Sequence, residues 1–322
     1  MNFDPFVLIA AFCLSGFIPV TASGLHDDFE AAAPGPLTAS WLEKYWKVKH
    51  PEQGLDQQRV TVVKEQKGDA GTVNTFIRVL YPSGQTNSAH SGASWRAPLP
   101  ATDEATAEYR VRVEPGFDWT RGGKLPGLAG GSGATGGRPS PDGFSARYMW
   151  HPEGGLILYL YHSGQKGRYG DGLRLGRAGT LRPDQWHTLR QRIRLNTPGE
   201  PDGILQVWVD GRLALDRHDM RWRLAGHAWQ IDHFYFSTFH GGSGTAYQPQ
   251  RDNHADFDDF SVTVLPRQTP TYSSPPPPLS LSLFLFSLKT PLYVLIYEYT
   301  NPVSLPALAC PDPGAGNSLS QA

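Results

Sequence analysis

Phe144-Ser145-Ala146-Arg147-Tyr148-Met149-Trp150, followed by His151-Pro152-Glu153-Gly154-Gly155 and then Leu156-Ile157-Leu158-Tyr159-Leu160-Tyr161, is the stretch on which the fold turns. Side chains alternate across an extended chain, so Leu156, Leu158 and Leu160 share one face while Ile157, Tyr159 and Tyr161 share the other. The central Pro-Glu-Gly-Gly reads as a turn. Pairing Trp150 with Leu156 sets Arg147 opposite Tyr159 and Ser145 opposite Tyr161. A slip of one residue would send each side chain to the wrong face, so the register is an expectation open to direct test. In this register the leucines supply a core, and Ser145, Arg147, Tyr159 and Tyr161 form a polar square on the opposite face.

Period-two alternation recurs at 109–113, 189–195 and 206–209, and 258–264 reads as a closing strand. Asp210-Gly211, between Val207-Trp208-Val209 and Leu213-Ala214-Leu215, signals a two-residue type I′ hairpin. One short helix is expected near Ser40. Many short strands separated by Gly and Pro predict an all-β protein, a jelly roll or concanavalin-like two-sheet sandwich with a concave substrate cleft.

The chain has 322 residues and a formal net charge of -1, so no global field selects a nucleic acid or a membrane surface. Its two cysteines, Cys13 and Cys310, fall outside the stretch read as the domain. A disulfide, a thiolate nucleophile or a Cys-based zinc site is therefore not expected there. Residues 1–22 read as a secretory signal peptide, with an apolar run from Phe6 to Ile18 and small residues before Ser23. Residues 23–266 read as the domain. Residues 267–322, which open on the Pro275 to Pro278 run, read as a low-complexity, disordered tail. A secreted, extracellular monomer without stable membrane association is expected.

Arg121-Gly122-Gly123-Lys124-Leu125-Pro126-Gly127-Leu128-Ala129-Gly130-Gly131 lacks the spacing of a phosphate-binding loop and has no βαβ context. It reads instead as a loop whose glycines allow the backbone to bend beside an extended ligand, with Lys124 projecting from it. An ammonium, a guanidinium and two phenols suit β-elimination of a 4-linked uronate. That reaction removes the proton at C5, stabilises enolate-like charge at the carboxylate, and expels the oxygen at C4. Neighbouring cations lower a phenol pKa, so a tyrosine between Arg147 and Lys124 suits proton transfer. No cofactor or metal is required.

The segments GGKLPGLAGG, FSARYMW and LILYLYH, supported by WHTLRQRIRLN, VWVDG and FSTFHGGSG, resemble polysaccharide lyase family 14, including its fungal members. The resemblance is good from about Arg110 to Val264. It implies a jelly-roll lyase acting on an acidic polysaccharide of the alginate or glucuronan type. It places Lys124 and Arg147 at the substrate carboxylate and assigns proton transfers to Tyr159 and Tyr161, without dividing base from acid between them. It gives Ser145 an orienting role. Fungal members often carry a cysteine pair around the Gly-Gly-Arg segment; Thr135-Gly136-Gly137-Arg138 and Asp142-Gly143-Phe144 hold none.

Gln165, just after the tyrosine strand, and His240, at a strand end, are further candidates for substrate binding. Arg190, Arg192 and Arg194 share one strand face and read as a solvated outer surface, with tracking of a polyanion as the sharper alternative. Trp119, Trp150 and Trp208 read as packing residues before sugar platforms. A glycoside hydrolase would need two placed carboxylates, for which Asp256, Asp258 and Asp259 are the local candidates. A secreted, non-catalytic glycan-binding module is the alternative from another functional class, since jelly rolls serve both purposes.

Overall fold

The computed structural model describes residues 24–67, 72–242 and 244–265. The expected signal peptide and C-terminal tail lie outside the described residues. In chain order the strands are β1 (Gly24–Asp27), β2 (Gly35–Pro36), β3 (Val60–Lys67), β4 (Thr72–Tyr81), β5 (Ala93–Thr102), β6 (Glu104–Val113), β7 (Gly123–Gly131) and β8 (Gly143–Trp150). They continue as β9 (Leu156–Tyr161), β10 (Asp171–Arg174), β11 (His187–Arg194), β12 (Gly203–Val209), β13 (Arg212–Met220), β14 (Ile231–His240) and β15 (Asn253–Leu265). Two short helices, α1 (Ala39–Trp46) and α2 (Asn87–His90), interrupt them.

Two antiparallel sheets result. The nine-stranded one runs β13-β12-β11-β6-β15-β4-β3-β2, with β1 added beside β15; the six-stranded one runs β10-β9-β8-β7-β14-β5. The chain crosses repeatedly between them, and the all-β sandwich expected from turn-punctuated alternation is what forms. Between the sheets lie Tyr109, Phe257 and Phe260 from the larger and Trp95, Tyr148, Phe234 and Phe236 from the smaller, all buried. Tyr109 stacks on Phe260 at 5.4 Å, and Trp46 meets Phe260 edge-on at 4.9 Å. Helix α1 delivers Trp46 to this core. Thr38 caps it by accepting the Trp41 amide, and buried Asp27 accepts both indole N–H groups, at 2.9 Å from Trp41 and 2.6 Å from Trp46.

The β12–β13 turn has φ of 50° at Asp210 and 73° at Gly211, the two positive values that a type I′ hairpin demands. On β11, Leu189, Gln191 and Ile193 are buried, while Arg190 packs over Trp208 and Arg192 bridges to Glu104. These arginines belong to the nine-stranded sheet, with partners of their own, which fits a solvated outer face. The acidic residues of β15 are engaged on the same sheet. Asp256 bridges Arg78 and Arg112, Asp259 bridges Arg110, and Asp258 accepts from Asn74.

One expectation is corrected. The glycine-rich segment around Lys124 is not a loop but β7, a central strand hydrogen-bonded to β8 and β14. A bulge between Leu125 and Gly127 absorbs Pro126, which cannot donate to the ladder. The groups this frees find partners: the Tyr109 hydroxyl donates to the Pro126 carbonyl and the Leu128 amide donates to Gln191.

Candidate active site

The β8–β9 register is the one read from the sequence. Arg147 pairs with Tyr159, Ser145 with Tyr161, and Trp150 with Leu156. Extended across the sheet, it gives two neighbouring rows. Tyr235, Gly127, Arg147 and Tyr159 align in one; Phe239, Lys124, Met149 and Ile157 align in the other. The core face of these strands is apolar. The outward face opens into a cavity of about 460 Å³ lined by Lys124, Arg147, Tyr159, Tyr161 and Tyr235 among others. Among the described residues no aspartate or glutamate lines it.

Each polar group is held by its surroundings. The two glycines before Lys124 allow the close approach of strands that sets its position. Gly122 has φ of +132°, and a Cβ on Gly123 would lie 2.0 Å from the Trp150 ring. Lys124 is buried; its Nζ stands 3.8 Å from the Tyr159 ring centroid and donates to Met149 Sδ at 2.8 Å. The Arg147 guanidinium donates to Ser237 Oγ at 3.0 Å and lies over the Tyr235 ring. Tyr159 accepts from the Gly170 amide at 3.1 Å, and Tyr161 accepts from the Gly137 amide at 2.7 Å.

Residues 69–260 match the family model described as polysaccharide lyase 14. The chain belongs to the polysaccharide lyase 14 family. Solved structures agree. Alginate lyase Aly36B is 25% identical with a TM-score of 0.63, over 75% of this chain and 96% of that one. The marine alginate lyase of Aplysia kurodai is also 25% identical, with a TM-score of 0.58 over 71% of this chain and 95% of that one. Alginate lyase vAL-1 from Chlorella virus, at 24% identity and a TM-score of 0.54 over 73% and 99%, shares the fold. A double mutant of Aly36B is solved in complex with alginate tetrasaccharide. Comparison with curated proteins returns no match.

In this polysaccharide lyase 14 chain, burial and then the Arg147 charge push the Lys124 ammonium well below the usual lysine range. Tyr159 moves the other way from the sequence expectation. Burial first, and the adjoining Tyr161 phenol second, raise its pKa; the downward pull of Arg147 is a smaller effect.

The structure brings Lys124, Arg147, Tyr159 and Tyr161 together and leaves three candidates off the cavity wall. Ser145 is fully buried and donates to the Ala134 carbonyl at 2.7 Å, anchoring the 132–142 loop that carries Thr135 and Gly136 to the cavity rim. Ser145 and Tyr161 tie this cysteine-free loop to the cleft sheet, and Arg168 and Trp229 donate to its Gly137 and Pro141 carbonyls. Gln165 folds back on its own turn, accepting from the His162 amide and donating to the Gly167 carbonyl. His240 points into the core, its ring 5.2 Å from Trp150 and 5.6 Å from both Tyr81 and Phe117. Placing it at a strand end was right; its side chain falls on the face that packs inward.

Sequence reasoning missed Tyr235, Ser237 and Met149. The first two lie on β14, where Phe234-Tyr235-Phe236-Ser237 alternates core aromatics with cleft-facing polar groups. That alternation is the signal that finds them. Among the described residues no group of His, Cys, Asp or Glu is arranged to hold a metal ion.

Proposed function

We propose that this lyase cleaves a 4-linked polyuronate of the alginate or glucuronan type by β-elimination, leaving an unsaturated uronate at the new non-reducing end. The observation that carries this reading is the convergence of Arg147, Lys124, Tyr159 and Tyr161 on one cavity with no carboxylate among its described lining residues. A hydrolase would need two carboxylates there, and a polyanion is attracted to such a surface.

The residues divide the work by their electrostatics. Arg147, held at its far side by Ser237, meets the uronate carboxylate at C6 and stabilises the enolate-like charge that grows there. Lys124, driven toward the neutral amine by burial, is the group suited to take the C5 proton. Tyr159, whose phenol burial keeps protonated, is suited to give its proton to the departing C4 oxygen. The C4–O bond breaks as its electron pair leaves with the oxygen, and the C4–C5 double bond forms. This assigns base and acid where the resemblance did not, and moves Lys124 from charge neutralisation to proton transfer. Tyr161 ties the 132–142 loop to the floor of the site and adds a second phenol beside the first.

The test is ultraviolet absorbance of the conjugated product during incubation of the purified protein with mannuronate-rich alginate, guluronate-rich alginate and glucuronan. Absorbance that grows with time on one of them supports the reading. A flat trace with all of them, in the presence of measurable binding, would instead identify a glycan-binding module.

A further inference from the structure

A second cavity, of about 520 Å³, is lined in part by Ile157, two residues before Tyr159 on the same face of β9. It is lined by His151, Ile157, Gly172 and Arg174 among others, with no acidic residue among the described ones. The pairing of strands fixes how the two relate. Tyr159 of the first cavity is in register with Gly172 of the second, and Ile157 is in register with Arg174. Met149 pairs with Ile157 and Lys124 with Met149, so Lys124, Met149, Ile157 and Arg174 form one row on the outward face of four successive strands. At about 4.8 Å per strand, that row spans roughly 14 Å between Lys124 and Arg174. This is the reach of a short oligosaccharide rather than of one sugar.

The chemistry of the row changes along it in a useful way. Ile157 offers an apolar platform, while Gly172 has no side chain to block the floor. Arg174 is exposed and makes no ion pair among the described residues. The buried Nε2 of His151 has no hydrogen-bond partner among the described residues. Burial first, and then Lys124 and Arg174, hold the His151 ring toward its neutral form, so His151 can serve as a hydrogen-bonding group while Arg174 supplies the charge at this end of the row.

We infer that this second cavity is a distal subsite of the cleft, in which Arg174 binds the carboxylate of a uronate residue outside the scissile linkage, with Ile157 beneath the sugar and His151 as a further hydrogen-bonding group. The inference rests on the lyase reading for its polymer and adds the direction of the chain, across the strands from Tyr235 toward β10. It makes Arg174 a determinant of chain-length preference rather than of chemistry.

The experiment compares wild type, Arg174→Ala and Arg174→Lys on uronate trimers and hexamers of the polymer that wild type cleaves. The readouts are kcat/KM by absorbance and hexamer binding by calorimetry. Loss of one charge-assisted contact predicts that Arg174→Ala lowers the hexamer-to-trimer ratio of kcat/KM by about tenfold, chiefly through KM. Arg174→Lys should restore part of it. A ratio unchanged in Arg174→Ala, with wild type active, overturns the subsite and leaves the lyase reading standing. Wild type inert on every polyuronate overturns the lyase reading instead. In that case equal or absent hexamer binding by wild type and Arg174→Ala overturns the subsite as well. Arg174 is exposed, so these variants should fold, and a melting curve checks that they do.

Discussion

The ammonium of Lys124 lies over the face of the Tyr159 ring while the Tyr159 hydroxyl turns aside to accept the Gly170 amide. Amine and phenol are therefore in contact without being hydrogen-bonded partners, and each can exchange a proton with a different atom of a bound sugar. Tyr159→Phe keeps the ring on which Lys124 rests and deletes the hydroxyl alone. It should lower kcat by about 10²–10⁴-fold, the usual contribution of a positioned acid, with little change in melting temperature. Activity within a fewfold of wild type would remove Tyr159 from the proton transfer.

Lys124 must be unprotonated to act as a base. Its pKa is depressed by burial, so turnover should climb with pH through that depressed value and level off above it. Lys124→Arg keeps the positive charge but cannot shed a proton near neutrality. It should abolish measurable turnover at every pH while polymer binding persists. A pH–rate series on both proteins checks this, and an active arginine variant would return Lys124 to a purely electrostatic role.

How much of this was legible in the residues follows from what each residue must satisfy. The β8–β9 register was readable because three leucines on one face admit a single placement against a core. The β12–β13 turn was readable because Asp-Gly accepts two positive φ values. Lys124 was found as a residue but placed on the wrong element: four glycines and a proline in β7 read as a loop. Those glycines serve instead to let neighbouring strands close on Trp150 and Gln191. His240 shares the parity of Phe234 and Phe236 on β14, so the same alternation that turns Tyr235 and Ser237 to the cleft turns its ring inward, a signal read for the strand end but not for the face. The rise in the Tyr159 pKa was hidden, because burial comes from segments distant in sequence.

Gly123→Ala tests the packing that sets Lys124. The added methyl carbon would collide with the Trp150 indole and with the Phe239 carbonyl, at 2.0 Å and 2.5 Å. Displacing two strands of a filled core should destabilise the protein by about 1–3 kcal/mol and lower kcat more than tenfold. Denaturant titration together with initial rates measures both. A stable, fully active variant would show that β7 tolerates a looser fit than its contacts indicate.

His240 predicts an acid sensitivity separate from catalysis. Burial lowers its pKa to about 4, below the ordinary histidine value of 6.5. The unfolded chain therefore binds the proton more readily than the folded one between these values. Stability should be fully present above about pH 6.5 and fall by up to about 3 kcal/mol as pH drops toward 4. His240→Phe, which keeps an aromatic ring among Tyr81, Phe117 and Trp150, should flatten that decline. Urea midpoints at pH 7 and pH 4.5 give the comparison, and parallel losses in both proteins would assign the acid sensitivity elsewhere.

The reactive groups stand on β7, β8, β9 and β14, whose reverse faces are the hydrophobic interior. Nothing in that arrangement allows the catalytic floor to open by itself, in the way a loop-built site can fray ahead of its scaffold. Heat inactivation and cooperative melting should therefore coincide, and the amide protons of Arg147 and Tyr159 should be among the slowest in the molecule to exchange with deuterium. Engineering for endurance then becomes a matter of the whole sandwich, and the far sheet is the place to begin, since changes there leave the floor untouched.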